Sequence, residues 1–155
     1  MKKVYKNEYE HVRVEMSMVS IDETLKQAGL NDNGSIQSYH TANVLRRIGR
    51  YMPYRSGSLI KLMNIQTDIN KPYIRVKAPQ AHYLYRGALW VSDITGSAWA
   101  RKGETKRDTG IPLKYHTGRN PQAGPDWANR LVQAEGEAMA ADLQQYIDRS
   151  ARRGR

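Results

Sequence analysis

Residues 10–19 read EHVRVEMSMV, and this stretch predicts that the fold contains a sheet. Apolar side chains stand at every second position, at Val12, Val14, Met16 and Met18, with polar or charged residues between most of them. A period of two over this length is typical of a β-strand that buries one of its faces. The sequence therefore predicts a strand over residues 10–19.

After this strand the hydrophobic period changes to that of a helix. Ser20 and Glu23 have the spacing of an N-cap and the third helical residue, which predicts a short helix ending at Gly29. A longer helix is predicted over residues 36–51, with Ser35 as its N-cap. Its apolar stripe consists of residues at four-residue spacing: Ile36, His40, Val44 and Ile48.

The middle of the chain contains a second strand and two ambiguous segments. Residues 73–78 alternate between Pro72 and Pro79, which predicts a strand over 73–78. Residues 59–66 are apolar and fit either a strand or a helix. Residues 80–86 fit either a helical turn or a further strand.

The region 87–124 is rich in glycine and has no long apolar run. Its short apolar pieces, residues 88–91 and 98–100, flank a turn at 95–96 and predict a hairpin with one tryptophan on each arm. A segment of this length inside a small domain is either functional or partly disordered, so the region 87–124 is predicted to be an extended arm or loop. The helical pattern then resumes and predicts a C-terminal helix over residues 125–150.

Together these elements indicate an α+β fold. It consists of a small antiparallel sheet packed against two or three helices, with a long glycine-rich arm or hairpin and a C-terminal helix. The chain has 155 residues, which fits a single domain over residues 1–155.

The composition narrows the classes of partner. A formal net charge of +10 favours polyanions, such as nucleic acid, an acidic protein surface or an anionic membrane. The chain has no cysteine, which excludes disulfides, thiolate metal sites and a cysteine nucleophile. No apolar run reaches about 18 residues, so we expect no membrane-spanning segment.

The sequence shows no motif for catalysis. Its four histidines lack the spacing of a zinc site, and neither a phosphate-binding glycine loop nor a nucleophile elbow occurs. The carboxylates of Asp22 and Glu23 are explained by the first turn of a helix. We therefore expect a non-enzymatic protein without catalytic residues, metal or cofactor. A small metal-dependent nuclease is the least favoured alternative.

Basic and aromatic residues are interleaved between residues 99 and 119, which is typical of surfaces that meet phosphate and stack on bases. No helix-turn-helix, zinc-finger or RNA-recognition signature accompanies them. A non-specific nucleic-acid-binding protein of phage or bacterial origin is therefore the alternative function.

Four blocks of sequence, in this order, carry a resemblance to a known family: YMPYRSGSL at residues 51–59, APQAHYLYRG at 78–87, DITGSAWARKG at 93–103 and NPQAGPDW at 120–127. In order and spacing they resemble phage minor capsid proteins related to the head–tail connector and tail-completion (neck) proteins of long-tailed phages. The resemblance spans about residues 35–148. The chain departs from the family at His82, and its first thirty residues match poorly, which leaves the role of the N-terminal strand open.

The resemblance implies a structural virion protein that joins the DNA-filled head to the tail. It implies a homo-oligomeric ring, with sixfold symmetry expected. Its partners would be adjacent head–tail connector and tail terminator or tail-tube proteins, with non-specific contact to packaged DNA and no membrane. Such a protein is made in the host cytoplasm and resides in the neck of the virion.

Within such a ring, aromatic and basic side chains are expected to form the contacts. We predict a subunit interface built from Trp90, Trp99, Arg101, Lys102, Lys106, Arg107, Tyr83 and Tyr85. The basic C-terminal tail is expected to face DNA or a partner through Arg149, Arg152, Arg153 and Arg155.

Overall fold

A computed structural model describes the backbone of residues 2–8 and 11–17 and, with side chains, residues 34–153. In this part of the chain the elements are β1 Lys2–Glu8, β2 His11–Ser17, α1 Ser35–Ile48, α2 Ser58–Gln66, β3 Tyr73–Lys77, α3 Ala81–Arg86, β4 Ala88–Ser92, β5 Lys106–Pro112 and α4 Trp127–Arg153. No helix within the described ranges is both long enough and apolar enough to cross a membrane.

The strands form two antiparallel sheets. In the larger sheet β2 lies between β1 and β3, and Val14 is the register partner of both Tyr5 and Val76. Strands β4 and β5 form a separate two-stranded sheet, whose register is irregular between Ala88 and Trp90. Helices α2 and α3 contact the larger sheet, and α4 packs against α1. The predicted α+β fold is confirmed.

The first predicted strand and the long predicted helix are present with different ends. The strand predicted over 10–19 occurs as His11–Ser17, and the helix predicted over 36–51 occurs as Ser35–Ile48. Ser35 is the first helical residue and Gly34, with φ of 86°, is the cap. The predicted cap at Ser35 is therefore wrong by one position, because glycine adopts a left-handed backbone without steric cost. The short helix predicted to end at Gly29 lies outside the described residues.

The two ambiguous segments are both helices, at Ser58–Gln66 and Ala81–Arg86. The strand predicted over 73–78 is Tyr73–Lys77. The C-terminal helix begins at Trp127 instead of residue 125 and continues to Arg153. Its start is displaced because Asp126 has φ of 48°, outside the helical region, and its carbonyl accepts the first helical hydrogen bond from Arg130 at 3.1 Å.

The core lies where α1, α2, α4 and β3 meet. Its largest fully buried side chains include Trp127, Ile48, Met52, Met63 and Leu131. Burial of one such side chain contributes about 1.5–3 kcal/mol to the free energy of unfolding, so this cluster is a major source of stability.

Helix α4 buries only part of the apolar stripe that its helical spacing suggests, namely Trp127, Leu131, Ala134, Ala138 and Ala141. The buried positions are Trp127, Ala128, Leu131 and Met139, whereas Ala134, Ala138 and Ala141 are exposed. The helix therefore has two faces, one packed on α1 and one outer face of small residues.

A polar network ties α1 to α4. The guanidinium of Arg47 forms ion pairs with Glu135 and with Asp142, the latter at 2.6 Å. The hydroxyl of Tyr51 donates a hydrogen bond to Glu135 at 2.8 Å, and the Asn43 amide donates one to Asp142 at 2.9 Å. Each carboxylate accepts one hydrogen bond from the cationic guanidinium and one from a neutral donor. The network therefore fixes the register of the two helices.

Two side chains from the end of α2 close the outer edge of β3. The Gln66 amide bonds to both the N–H and the carbonyl of Lys77, at 2.5 and 3.0 Å. The Thr67 hydroxyl bonds in the same way to both backbone groups of Arg75, at 3.1 and 3.3 Å. The backbone groups that a foreign strand would use are therefore occupied at two alternate residues.

Candidate functional site

Within the region 87–124, which was predicted to be an arm or hairpin, residues 88–112 form a hairpin. The hairpin consists of β4, the tip loop of residues 93–105, and β5. The predicted second arm at 98–100 is wrong, since β4 pairs with Lys106–Pro112 and residues 98–100 belong to the tip loop. The true partner strand, KRDTGIP, lacks apolar alternation and gives little sequence signal.

The tip loop is braced by its own hydrogen bonds. Where the loop begins and ends, the Thr105 hydroxyl donates to Asp93 at 2.6 Å and the Asp93 N–H donates to the Thr105 carbonyl at 3.0 Å. The Ser92 hydroxyl donates to Glu104 at 2.7 Å, and the Gly96 N–H donates to the Ser92 carbonyl at 2.9 Å. The loop thus has a defined conformation before any partner binds.

An aromatic cluster anchors the hairpin to α3. Trp90 is half-buried and its ring centre lies 5.5 Å from those of both His82 and Tyr83. Burial, aided by the charge of Arg86, lowers the pKa of His82, which keeps the imidazole neutral near pH 7. Trp90 therefore anchors the hairpin to α3, and only part of its side chain is exposed.

Two large apolar side chains are exposed close together on the tip loop. Trp99 is 89 % exposed and Ile94 is 76 % exposed, and they lie five positions apart in the sequence. Arg101, Lys102 and Arg107, which the sequence analysis predicts as contact residues, are exposed nearby in the sequence. Apolar anchors surrounded by cations are a composition enriched at protein interfaces.

A cleft of about 810 Å³ opens between the tip loop and the body of the protein. Its lining includes apolar surface from Leu59, Pro53, Pro79, Leu84 and Trp99, together with Tyr54, Tyr83 and Tyr115. Three cations, Arg55, Lys106 and Lys114, also line it. The cleft combines an apolar floor with positive charge.

The tyrosine at the base of the cleft is held in place by the backbone of α3. The Tyr115 hydroxyl donates to the Leu84 carbonyl at 2.5 Å, and burial raises the pKa of Tyr115 to about 12. The side chain therefore stays neutral and acts as a fixed wall.

The chain returns from the hairpin to the body through residues 120–127. The Asn120 amide donates to the carbonyls of Gly49 and Met52, at 2.9 and 3.0 Å. The Asp126 N–H donates to the Tyr85 carbonyl at 2.9 Å. These bonds attach the segment 120–127 to the residues that follow α1 and to α3.

The structure corrects one predicted interface residue and extends the site. Tyr85 is 3 % exposed and packs edge-on against Trp127, with ring centres 4.7 Å apart, so it is a core residue. Arg55 and Lys114 were not predicted as site residues. Each adjoins a tyrosine in the sequence, at 54–55 and 114–115, and this basic–aromatic pairing is the signal that could have identified them.

The predicted basic tail lies mostly on the last turns of α4. Arg149, Arg152 and Arg153 are exposed, and Arg155 lies outside the described residues. No group of three or more His, Asp or Glu side chains within the described ranges is arranged to hold a metal ion. No protein-family model, curated protein or solved structure matches this chain.

Proposed function

We propose that this chain is a non-enzymatic structural subunit of the neck of a tailed-phage virion, where copies form a ring that joins the DNA-filled head to the tail. The observation that carries the proposal is the tip loop, a braced projection with Trp99 almost fully exposed beside cationic side chains. A large apolar side chain is held in water by a loop with defined hydrogen bonds, which favours a role in contact with another protein.

Two further features support the proposal. The four blocks that resemble minor capsid proteins supply the tip loop, three stretches of the cleft wall and the return to α4. The net charge of +10 suits a ring that surrounds packaged DNA, because phosphate contacts need no base recognition.

Electron microscopy of a lysate from the encoding phage, with this gene deleted, tests the proposal. We expect DNA-filled heads and free tails that do not join, and joined virions after complementation with the wild-type gene. Complementation with Trp99→Ala should fail, whereas Ile65→Ala, which removes a side chain that is 80 % exposed on α2, should succeed. Normal virions from the deletion strain would refute the neck function.

A second candidate function is non-specific binding of nucleic acid. It is favoured by the three cations of the cleft and by the exposed arginines of α4. This function predicts that the isolated chain binds DNA of any sequence, with an affinity that falls steeply as salt increases. Fluorescence anisotropy with labelled duplex and single strands at several salt concentrations measures it. Absence of binding at low salt would eliminate this candidate.

A further inference from the structure

We propose that the cleft of one copy receives the outer face of α4 of a second copy, so that copies associate head to tail. The inference rests on the proposed ring function and specifies its subunit contact. It assigns opposite roles to two surfaces of the same chain: the cationic cleft, and the outer face of α4 that carries Glu137, Asp148 and the exposed alanines Ala134, Ala138 and Ala141.

The described residues that line the cleft carry charge of one sign only, which is positive. Arg55, Lys106 and Lys114 contribute cations, and no Asp or Glu occurs among the described residues that line it. Lys106 is engaged, since its ammonium donates to the Ala98 carbonyl at 2.8 Å. Arg55 and Lys114 are exposed, which leaves two cations at the cleft for an acidic occupant.

The middle of α4 has the opposite charge. Residues 131–148 contain four carboxylates and no lysine or arginine, within a chain of net charge +10. Two of the four, Glu135 and Asp142, point toward α1 and are paired with Arg47. The remaining two, Glu137 and Asp148, are exposed. The outer face of α4 is thus acidic between Ala134 and Asp148 and turns basic only in the last turns, at Arg149, Arg152 and Arg153, and its acidic part complements the cleft.

The shape of this face also fits a cleft with an apolar floor. Ala134, Ala138 and Ala141 are exposed at three- and four-residue spacing, so they lie on one side of the helix. Small side chains allow another surface to approach the helix closely and bury the methyl groups. Trp99, which is exposed in the isolated chain, would then be covered by the neighbouring helix.

A nucleic acid fits the cleft less well, although the cleft is cationic and aromatic. Binding of successive bases needs free ring faces on which to stack. The Tyr54 ring is covered by Arg119, 5.4 Å from its centre, and the Tyr83 ring by Lys106, at 4.7 Å. Trp99 and the half-buried Tyr115 are the remaining tryptophan and tyrosine rings of the lining, whereas a helix face needs only apolar contact and opposite charge.

The two surfaces lie on different parts of the chain, so their contact is heterologous. A contact of this kind leaves one free cleft and one free α4 face in each pair, and it therefore repeats. Repetition with a closing rotation gives a ring, and without one gives a filament. Charge complementarity at the contact also offsets the general repulsion between copies of a cationic protein.

Disulfide trapping between two purified full-length chains tests the inference, because the natural sequence has no cysteine. One chain carries Gln80→Cys in the cleft, and the other carries Ala138→Cys on α4 and a tag that changes its size. We expect a mixed disulfide dimer under mild oxidation. A chain with Asn64→Cys, an exposed position of α2 away from the cleft, replaces the first chain as the control and should give little mixed dimer.

Charge reversal then identifies the contact. Adding Arg55→Glu and Lys114→Glu to the cleft chain, or Glu137→Lys and Asp148→Lys to the α4 chain, should each reduce trapping about tenfold. Combining the two reversed chains should restore trapping, since opposite charges face each other again. Thermal unfolding of each variant verifies that these exposed substitutions leave the fold intact.

Trapping that is absent in the unreversed pair, or that is not restored in the doubly reversed pair, would overturn the inference. Loss of DNA affinity in the cleft-reversed chain without any trapping would overturn it in favour of nucleic acid. The outcomes are separable from those of the neck function. Unjoined heads and tails in the deletion lysate without trapping refute only this contact, and restored trapping with normal virions refutes only the neck function.

Discussion

The ammonium nitrogen of Lys106 lies 4.7 Å from the centre of the Tyr83 ring, so the first residue of β5 is held against α3. The same nitrogen donates a hydrogen bond to Ala98 in the tip loop at 2.8 Å. One side chain therefore connects the strand, the loop and the body of the protein. This connection fixes the position of the loop relative to the cleft.

Replacing Lys106 by Met should loosen the tip loop while keeping the apolar stem. Loss of the cation–π contact and the hydrogen bond should cost about 1 kcal/mol in the free energy of unfolding. Hydrogen exchange of the amides of residues 93–105 should accelerate. Lys102→Met, which removes an exposed charge from the same loop, is the control and should change neither quantity. Equal exchange in both variants would contradict the bracing role of Lys106.

The two tryptophans of the hairpin should respond differently to truncation. Trp90→Ala removes a half-buried ring from the cluster with His82 and Tyr83 and should destabilise the fold by roughly 2 kcal/mol. Trp99→Ala should leave the melting temperature within error, because the side chain has little to lose on the surface of the isolated chain. Calorimetry of both variants measures the difference. A large destabilisation by Trp99→Ala would show that this ring has a structural role.

Stability should depend on acid pH through the Arg47 network. Burial alone would raise the pKa of Glu135, but the hydrogen bonds from Arg47 and Tyr51 outweigh it, and the net pKa lies below its ordinary value. The hydrogen bond from Arg47 is also the main reason why the pKa of Asp142 is lowered. Groups whose pKa is lowered by folding stabilise the protein above their ordinary pKa of about 4 and lose that contribution as pH falls.

Arg47→Met should therefore destabilise the fold at pH 7, because both carboxylates lose their cation, and the cost should shrink as pH approaches about 3. Urea unfolding between these two pH values measures the effect. Lys61→Met, which removes an exposed cation from α2, provides the control and should give a nearly constant small change. A cost for Arg47→Met that does not vary with pH would rule out the carboxylates as its origin.

Two features require glycine at position 87: its left-handed backbone and its close contact with Pro125. Its φ is 78°, and an added Cβ would lie 2.7 Å from the Cβ of Pro125. Gly87→Ala should cost at least about 2 kcal/mol, since the backbone strain of about 1 kcal/mol is joined by a steric clash. Gly96, with φ of 67° and nothing within 4 Å, is the matched control, and Gly96→Ala should show the backbone strain alone. If chemical denaturation gave equal losses of stability for the two variants, the contact with Pro125 would add no steric cost.

The edge of β3 should pair with strands of other molecules when the side chains of Gln66 and Thr67 are removed. Gln66→Ala combined with Thr67→Ala frees backbone groups of Lys77 and Arg75 that now have partners. We expect soluble aggregates at concentrations where the wild type stays dispersed, because a free edge pairs with other strands. Light scattering detects the aggregates. Asn64→Ala, at an exposed position of the same helix, should behave as the wild type.

The sequence was most informative where a single period dominates. The alternation around Val14 and the four-residue spacing around Val44 both reflect one buried face, and both elements occur. Element ends were less predictable, because they depend on single residues such as Gly34 and Asp126 with left-handed backbones. The apolar segments 59–66 and 80–86 became helices through tertiary contacts that no short pattern contains.

The candidate site was predictable in part. Trp99, Arg101, Lys102 and Arg107 are exposed on the hairpin, where basic and aromatic composition had suggested a contact surface. The cleft was not predictable, since Arg55 and Lys114 are 59 positions apart and converge only through folding. The core position of Tyr85 was not predictable either, because composition does not tell which of the two tyrosines, Tyr83 or Tyr85, faces inward.

The hydrogen bonds that brace the tip loop also bear on how fast copies can meet. When a loop must become ordered during binding, docking takes longer. Many encounters then end before docking is complete. Here the bonds between Asp93 and Thr105 and between Ser92 and Glu104 already hold the loop in one conformation. For the head-to-tail contact that we propose, the rate of subunit addition is therefore expected to be set by diffusion and charge attraction, without a further ordering step.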